Sequence, residues 1–184
     1  ECGKAKAHFN LDTNKKTLLV LGGSLGARRI NQLIASKLDF FKAKKIQVVW
    51  QCGALYYEEY KVLETADVLV KAFVADMEQL YSASDFVISR SGAATLSELC
   101  CVGKPALLIP SPNVAENHQM QNAMALVNQN AALVVAENKL DEEFETIFQS
   151  LLETSVQESL SVNIRKLAKP EATKHIVDLI EEII

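Results

Sequence analysis

Residues 17–37 read TLLVLGGSLGARRINQLIASK, and this stretch decides the fold. The apolar run over 17–21 predicts a short buried strand, and the spacing of apolar residues over 27–37 predicts a helix. The glycine-rich segment GGSLG lies between them at 22–26. A strand that runs through a glycine turn into a helix is typical of a βα unit in a parallel sheet.

The same alternation of strand and helix patterns continues to residue 135. Further strands are predicted at 47–51, 68–72, 86–89, 106–109 and 132–135, and further helices at 56–64, 77–84, 95–102 and 117–129. We therefore predict an α/β fold, a Rossmann-like doubly wound sheet of about six parallel strands. A helical C-terminal tail is predicted at 140–153, 156–169 and 171–184.

The chain divides into three predicted parts. Residues 1–16 are polar and weakly patterned, which indicates a linker remnant, and residues 17–169 form the sheet domain. Residues 170–184 form a C-terminal helix that begins near Pro170 and is apolar over a broad face. That face packs either on this domain or toward a further domain, and the pattern leaves both open.

Composition disfavours several classes of protein. A chain of 184 residues with 49% hydrophobic and 23% charged residues is typical of one soluble globular domain. No apolar run is long enough to cross a bilayer, and the first residues do not resemble a signal peptide, so we expect a cytoplasmic protein. The net charge of −4 disfavours nucleic acid and anionic membrane surfaces as partners.

Cysteine usage and acidic motifs give no sign of a metal or cofactor. The four cysteines, Cys2, Cys52, Cys100 and Cys101, form no C-x-x-C pair and have no histidine at metal-ligand spacing. We expect reduced thiols, with a disulfide or a zinc site as the weaker alternative. No Asp-x-Asp pair lies near the loops, so no divalent cation is expected to be required.

The glycine segment after the first strand is the strongest local signal. Gly22, Gly23 and Gly26 let the backbone approach a phosphate, and the helix that follows offers free N–H groups to it. The alternative is a tight turn that needs glycine for backbone reasons alone. Ser24 occupies the middle glycine position of a dinucleotide fingerprint, and no Gly-Lys-Ser/Thr follows, so neither that motif nor a Walker A loop is present.

A second loop of the same kind, SRSGAAT at 89–95, follows the fourth predicted strand. Two phosphate-competent loops on one sheet favour a ligand that lies across both.

Glu98, three residues after Thr95, has two interpretations. It closes a capping box with Thr95, or its carboxylate accepts hydrogen bonds from ribose hydroxyls.

A third cluster follows the fifth predicted strand, with PSP at 110–112 running into ENHQ at 116–119 and Asn122. Uncharged donors and acceptors of this kind suit sugar hydroxyls, whereas the alternative is a polar helix end that faces water. His118 has no carboxylate or second histidine at a productive spacing, so a hydrogen-bonding role fits it better than catalysis or metal binding.

Read in order, five segments resemble the C-terminal domain of the MurG family of bacterial transferases. They are LGGSLGA at 21–27, FVADM at 73–77, SRSGAATLSE at 89–98, GKP at 103–105 and NHQMQNA at 117–123. The family moves N-acetylglucosamine (GlcNAc) from UDP-GlcNAc onto lipid I in peptidoglycan synthesis. The resemblance implies a GT-B architecture of two Rossmann-like domains, of which this one holds the donor.

The resemblance also implies roles for individual residues. Val74 would contact the uracil through its backbone, Glu98 would accept from the ribose, and His118, Gln119 and Asn122 would line the GlcNAc pocket. The diphosphate would lie against the two loops, which contribute Gly22, Gly23, Ser24, Gly26, Ser91, Gly92, Ala93, Ala94 and Thr95. Family members commonly carry two consecutive glutamines at 118–119, so the sugar contacts differ here.

The resemblance places the catalytic base, the lipid I site and the membrane contact in an N-terminal domain outside this chain. We therefore expect the 184 residues alone to be inactive, and the full protein to be peripheral on the cytoplasmic face of the inner membrane. One alternative is a stand-alone nucleotide-sugar-binding subunit of a split glycolipid GlcNAc transferase. A UDP-GlcNAc 2-epimerase shares the architecture but needs acid–base residues that the sequence does not place.

Overall fold

A computed structural model describes residues 2–23 and 25–183, and it contains one six-stranded sheet. All strands run parallel, in the order β3-β2-β1-β4-β5-β6. The strands are β1 Lys16–Leu21, β2 Ile46–Gln51, β3 Val68–Lys71, β4 Phe86–Ser89, β5 Ala106–Leu108 and β6 Leu133–Val134. The predicted α/β fold with six parallel strands is confirmed.

Helices cover both faces of the sheet. They are α1 Cys2–His8, α2 Arg28–Ser36, α3 Leu38–Ala43, α4 Tyr57–Tyr60, α5 Met77–Ala83, α6 Ala93–Val102, α7 His118–Val127, α8 Leu140–Leu151, α9 Thr154–Arg165 and α10 Ala172–Glu181. Short 3₁₀ turns occupy Lys61–Leu63, Ala115–Asn117 and Glu137–Lys139. One core cluster draws on α2, α3, α4 and α8, and the other on α1, α5, α6 and α7.

The central strands are apolar along their length because both faces of the sheet are covered. Leu18 and Val20 of β1 enter one core cluster, whereas Leu19 and Leu21 enter the other. This alternation follows from the two-residue period of a strand. It also explains why these strands appear in the sequence as short continuous apolar runs.

Two helices of the structure were not predicted. The segment predicted to be a polar linker contains α1, in which Ala5 and Lys6 are buried and which packs against α5. In α3, Phe41 is buried and contacts Phe148 edge to face. Each helix is too short to show a clear period of 3.6 residues, so its place is decided by these contacts.

Helix α6 begins two residues before its predicted start at Thr95. Its N-cap is Gly92, so Thr95 is the third residue of the helix and Glu98 lies one turn further in. The N-cap makes no side-chain hydrogen bond. The capping-box interpretation of Thr95 and Glu98 is therefore wrong, because a capping box needs the hydroxyl residue at the N-cap and the glutamate at the third position of the helix.

The C-terminal helix α10 stands away from the rest of the molecule. It begins at Ala172, two residues after Pro170, and none of its residues is buried. Its apolar residues Ile176, Leu179 and Ile180 are more than half exposed. The interpretation in which this face packs on the domain is thus contradicted. Within residues 2–23 and 25–183, no helix combines the length and hydropathy needed to cross a membrane.

Candidate functional site

The two glycine-bearing loops leave the centre of the sheet side by side. Leu21 at the end of β1 pairs with Ser89 at the end of β4, so both loops begin at the same level of the sheet edge. From β1 the chain order runs outward to β2 and β3, and from β4 it runs the other way to β5 and β6. This reversal is the switch point at which open α/β sheets bind ligands.

A cavity of about 550 Å³ opens at this edge. It is lined by the loops after β1, β4 and β5 and by the start of α2, through Gly22, Gly26, Ala27, Arg28, Arg29, Gln32, Arg90, Ser111, Asn113, Gln119 and Glu137. A neighbouring cavity of about 400 Å³ shares Arg29, Ser111 and Glu137 with it. Together they have the size and mixed polarity of a small-ligand site.

Two helices, α2 and α6, begin at this edge with their first backbone N–H groups. In α2 the first intrahelical acceptor is Ala27, whose carbonyl accepts from Asn31. In α6 it is Gly92, whose carbonyl accepts from Leu96. Among residues 2–23 and 25–183 the structure describes no acceptor for the first-turn N–H groups that precede these bonds, and the helix dipole favours an anion in front of them.

Close backbone packing fixes the shape of the β1 loop. Gly26 has φ +87°, and a Cβ atom there would lie 2.3 Å from the carbonyl oxygen of Cys52. Gly53 has φ +90°, and its Cβ would lie 2.2 Å from the Gly26 nitrogen. Both glycines are therefore needed for the fold of the loops. Gly53 was not predicted, because its partner lies 27 residues away in sequence.

Gly92 differs from these glycines. Its φ is −68°, which any residue adopts, and a Cβ atom there would meet nothing within 4 Å. The fold therefore does not require glycine at this position. Backbone that is unobstructed at the start of a helix can be approached closely by a phosphate group.

Three arginines stand at the cavity, and the sequence interpretation gave none of them a role. Arg90 Nη2 lies 2.5 Å from Glu137 Oε2 and its Nη1 donates to the Ile109 carbonyl at 3.1 Å. Arg29 Nη2 lies 2.6 Å from Asp141 Oδ2. Arg28 forms no salt bridge with any acid that the structure describes, and it is exposed at the first position of α2. Arg28 therefore carries the uncompensated charge at the cavity.

Two hydrogen bonds tie the loop after β4 to α7, and a third ties the loop after β5 to the same helix. Ser91 Oγ donates to the Gln119 carbonyl at 2.7 Å, and Asn122 Nδ2 donates to the Ser91 carbonyl at 3.1 Å. The Gln119 side-chain oxygen accepts from the Ser111 N–H at 2.9 Å. The Gln119 amide nitrogen is left to donate into the cavity that Gln119 lines.

His118 begins α7 and is exposed. Its Nδ1 lies 2.8 Å from the Ala115 carbonyl oxygen. A carbonyl only accepts, so Nδ1 carries the proton in this arrangement and Nε2 is the free ring nitrogen. In its neutral form His118 therefore offers an acceptor, whereas Gln119 offers a donor.

Glu98 is exposed on α6, and Tyr81 from α5 holds it. The Tyr81 hydroxyl donates to Glu98 Oε2 at 2.9 Å. Burial of the ring and then the charge of Glu98 raise the pKa of Tyr81 well above its usual value. The phenol is therefore neutral and a hydrogen-bond donor over the whole physiological pH range.

Val74 lies in the loop after β3 and is buried. Its N–H donates to Gln51 Oε1 at 3.1 Å, and the Gln51 carbonyl also accepts from the Gly22 N–H at 3.0 Å. Gln51, at the end of β2, thus joins the β1 loop to the β3 loop. The Val74 N–H is therefore engaged, whereas its carbonyl has no hydrogen-bond partner among residues 2–23 and 25–183.

The structure brings part of the predicted site to one cavity and leaves the rest on neighbouring loops. Gly22, Gly26 and Gln119 line the larger cavity, with Gly23 in the same loop. The start of α6 carries Gly92, Ala93, Ala94 and Thr95 at the same sheet edge. Ser24, also predicted to contact the diphosphate, lies outside the described residues. Arg28 and Arg29 lie two and three residues after the last glycine of this segment, a signal that could have identified them, whereas Glu137 gives no such signal.

Comparison with known proteins agrees with this geometry. Residues 17–183 match the family model described as the glycosyltransferase family 28 C-terminal domain. Two relatives are named UDP-N-acetylglucosamine--N-acetylmuramyl-(pentapeptide) pyrophosphoryl-undecaprenol N-acetylglucosamine transferase. The one from Flavobacterium psychrophilum is 53% identical over 96% of this chain and 49% of the relative. The one from Christiangramia forsetii is 52% identical over 98% of this chain and 50% of the relative.

A crystal structure of MurG from Acinetobacter baumannii matches with a TM-score of 0.80 and 28% identity. The match covers 97% of this chain and 53% of that one. The chain therefore spans about half the length of the curated relatives it matches. It belongs to glycosyltransferase family 28, of which it carries the C-terminal domain.

Proposed function

We propose that this chain binds UDP-N-acetylglucosamine as the donor domain of an inverting glycosyltransferase. The observation that carries the proposal is the cavity at the switch point, flanked by a glycine loop, two helix N-termini and Arg28. Such a site suits a diphosphate. The curated relatives, which are named for transfer of N-acetylglucosamine to a pyrophosphoryl-undecaprenol acceptor, support the choice of sugar and of lipid I as acceptor.

Within this domain the chemistry is stabilisation of the leaving group. As the acceptor hydroxyl attacks the anomeric carbon, negative charge develops on the diphosphate of UDP. The N–H groups at the starts of α2 and α6 are held in place by the helix backbone before the reaction and would stabilise that charge, and the exposed Arg28 guanidinium would add a positive charge beside it. Glu98 would accept from the ribose, the Val74 carbonyl would meet the base, and His118, Gln119 and Asn122 would contact the sugar.

The acceptor site and the catalytic base belong, in this proposal, to the half of the relatives that the chain does not match. The exposed apolar face of α10 supports a contact with that half, because no residue of the helix is buried. We also propose that the full protein is peripheral on the cytoplasmic face of the inner membrane, where lipid I would be available, with membrane contact through the same half.

The alternative of a stand-alone subunit of a split transferase is less well supported. The relatives at 52–53% identity are about twice as long as the part that this chain matches. A subunit of that kind would be expected to match relatives of its own length. The observations therefore favour a domain of a two-domain enzyme.

Calorimetric titration of the 184-residue chain with UDP and UDP-GlcNAc tests the donor site. We expect both to bind without added Mg²⁺ and UDP-glucose to bind more weakly, because the N-acetyl group adds contacts in the sugar pocket. We expect no transfer of radiolabelled GlcNAc to a lipid I analogue. Arg28→Ala should weaken UDP binding by about 10-fold, the scale of one charged hydrogen bond.

The matched control for Arg28→Ala is Lys174→Ala, which removes a cation from α10 instead. It should leave UDP affinity unchanged. Absence of UDP binding at millimolar concentration would contradict the donor-domain proposal. GlcNAc transfer by this chain alone would contradict the assignment of the acceptor site and the base to the other half.

A further inference from the structure

We propose that Tyr81 is a positioning residue, which holds the Glu98 carboxylate in the orientation that receives the ribose of the UDP donor. The proposal rests on the donor function proposed above and adds a residue to its site. Tyr81 lies on α5 and Glu98 on α6, and the hydroxyl donates to Glu98 Oε2 at 2.9 Å.

The position of the Tyr81 hydroxyl is fixed by the packing around its ring. The ring is 4% exposed and belongs to the core cluster on its side of the sheet, which includes Leu80 and Leu99. Helix α5 is itself covered by α1. A buried aromatic ring has few rotamers, so the place of its hydroxyl is determined by the packing of the domain.

Glu98, by contrast, is exposed at the surface of α6. A glutamate side chain in solvent samples many rotamers, and fixing it for a ligand costs conformational entropy. The Tyr81 hydrogen bond selects one orientation before the ligand arrives. Preorganisation of this kind lowers the cost of binding.

The hydrogen bond also makes the two oxygens of the carboxylate different: one is hydrogen-bonded to Tyr81 and the other is not. Oε2 is engaged by Tyr81, and the structure describes no hydrogen-bond partner for Oε1 among residues 2–23 and 25–183. An ionised carboxylate only accepts, and each of the two vicinal ribose hydroxyls has one O–H to donate, so Oε1 and the remaining lone pair of Oε2 match these two donors. Tyr81 contributes the donor that keeps this pair of acceptors in place.

Tyr81→Phe tests the proposal because it removes the hydroxyl and retains the buried ring. We expect the affinity for UDP to fall about 3- to 10-fold, as one hydrogen bond is lost. The affinity for 2′-deoxy-UDP should fall less, so that the ratio of the affinities for UDP and 2′-deoxy-UDP decreases. Titration calorimetry with both ligands measures this, and thermal unfolding confirms that the variant is folded.

Tyr60→Phe is the matched control, since Tyr60 is also buried and packs on Trp50 in the opposite core cluster. It should leave the affinities for UDP and 2′-deoxy-UDP unchanged. In a Glu98→Ala background, Tyr81→Phe should have no further effect, because Tyr81 acts through Glu98. An equal loss of affinity for both ligands, or a full effect in the Glu98→Ala background, would overturn the proposal.

Glu98→Gln separates this proposal from the function on which it rests. Loss of the charged acceptor should lower UDP affinity about 10- to 100-fold and largely remove discrimination against 2′-deoxy-UDP. If Glu98→Gln binds UDP like wild type, the ribose contact is wrong and the positioning role is overturned with it. If Glu98→Gln weakens binding but Tyr81→Phe does not, the donor function stands and only the Tyr81 proposal is overturned.

Discussion

Backbone contacts at single glycines set the geometry of the loops at the candidate site. At Gly26 a side chain would meet both the Cys52 carbonyl oxygen and the Tyr56 ring, at 2.3 and 2.6 Å from its Cβ. The carbonyl cannot move without disturbing the end of β2. At Gly92 the same atom would meet nothing within 4 Å. Two glycines of similar appearance in the sequence therefore serve different purposes.

We expect Gly26→Ala to destabilise the domain by about 2 kcal/mol or more, through a positive φ and a clash with backbone. Gly92→Ala should change the free energy of unfolding by less than about 1 kcal/mol, because its φ is negative and its Cβ is unobstructed. Urea denaturation of both variants measures the difference.

Gly92→Ala should nevertheless weaken UDP binding, since its methyl group would enter the space that we assign to the diphosphate. A stable Gly92→Ala variant with wild-type affinity for UDP would remove Gly92 from the site. Equal stability losses at the two positions would contradict the packing argument for Gly26.

At the scale of elements, α10 is the exception to the packing of the domain. Every other long helix buries part of one face, whereas α10 buries nothing within the described residues and exposes Ile176, Leu179 and Ile180. A continuous exposed apolar face of this kind marks an interaction site. In the proposed two-domain enzyme, we assign this face to the contact with the half of the relatives that the chain does not match.

Ile180→Glu tests the assignment, because Ile180 is 52% exposed in this chain. In the 184 residues alone we expect a change in unfolding free energy within about 0.5 kcal/mol, as is usual for surface positions. In the two-domain protein the same substitution would bury a charge in the interface, so both thermal stability and transfer activity should fall. Differential scanning calorimetry and a transfer assay measure the two effects.

Lys174→Glu introduces the same side chain at a polar position of α10 and is the control. It should be neutral in both proteins. Wild-type stability and activity of Ile180→Glu in the two-domain protein would show that the apolar face of α10 is not at the interface.

At the scale of the whole molecule, one buried ion pair joins α1 to the sheet at the edge opposite the site. Lys6 Nζ lies 3.0 Å from Asp85 Oδ2 and donates to the Lys15 carbonyl, and the same carboxylate accepts from the Thr17 N–H. Burial alone would raise the pKa of Asp85, but the bonds from Thr17, Lys6 and Lys16 outweigh it and hold the pKa below its usual value.

Asp85→Asn should lower the free energy of unfolding by about 2–4 kcal/mol at pH 7, because Lys6 is left buried without a counter-charge. The folded-state pKa of Asp85 is depressed, so its stabilisation is complete above the unfolded pKa of about 3.9 and is lost as pH falls through the lower folded value. The difference between wild type and Asp85→Asn should therefore shrink below about pH 4.

Urea denaturation at pH 7, 5 and 3 measures this dependence. Asp67→Asn is the control, since the Lys15–Asp67 pair is about one-third exposed at each side chain and should contribute less than about 1 kcal/mol. Equal effects of the two substitutions, or a difference that does not change with pH, would contradict the role of Asp85. UDP affinity of folded Asp85→Asn should match wild type.

The sequence alone was sufficient for the six strands in chain order and for the two loops of the site. The strand runs and the glycine segments are local signals, because a buried strand must be apolar along its length and a parallel sheet must place its loops at one edge. Leu21 and Ser89 both lie at that edge, whereas their pairing side by side follows from the strand order of the folded sheet. The motif resemblance likewise depends on residues that are near one another in the chain.

Only the tertiary structure decided which side chains act together. Tyr81 reaches Glu98 over 17 residues, Gln51 reaches Val74 over 23, and Arg90 meets Glu137 over 47. The start of α6 at Ala93 contradicts the capping interpretation of Glu98. Packing against α5 explains α1, and the contact with Phe148 explains α3. Such contacts depend on how helices pack across the sheet, and no local period encodes that packing.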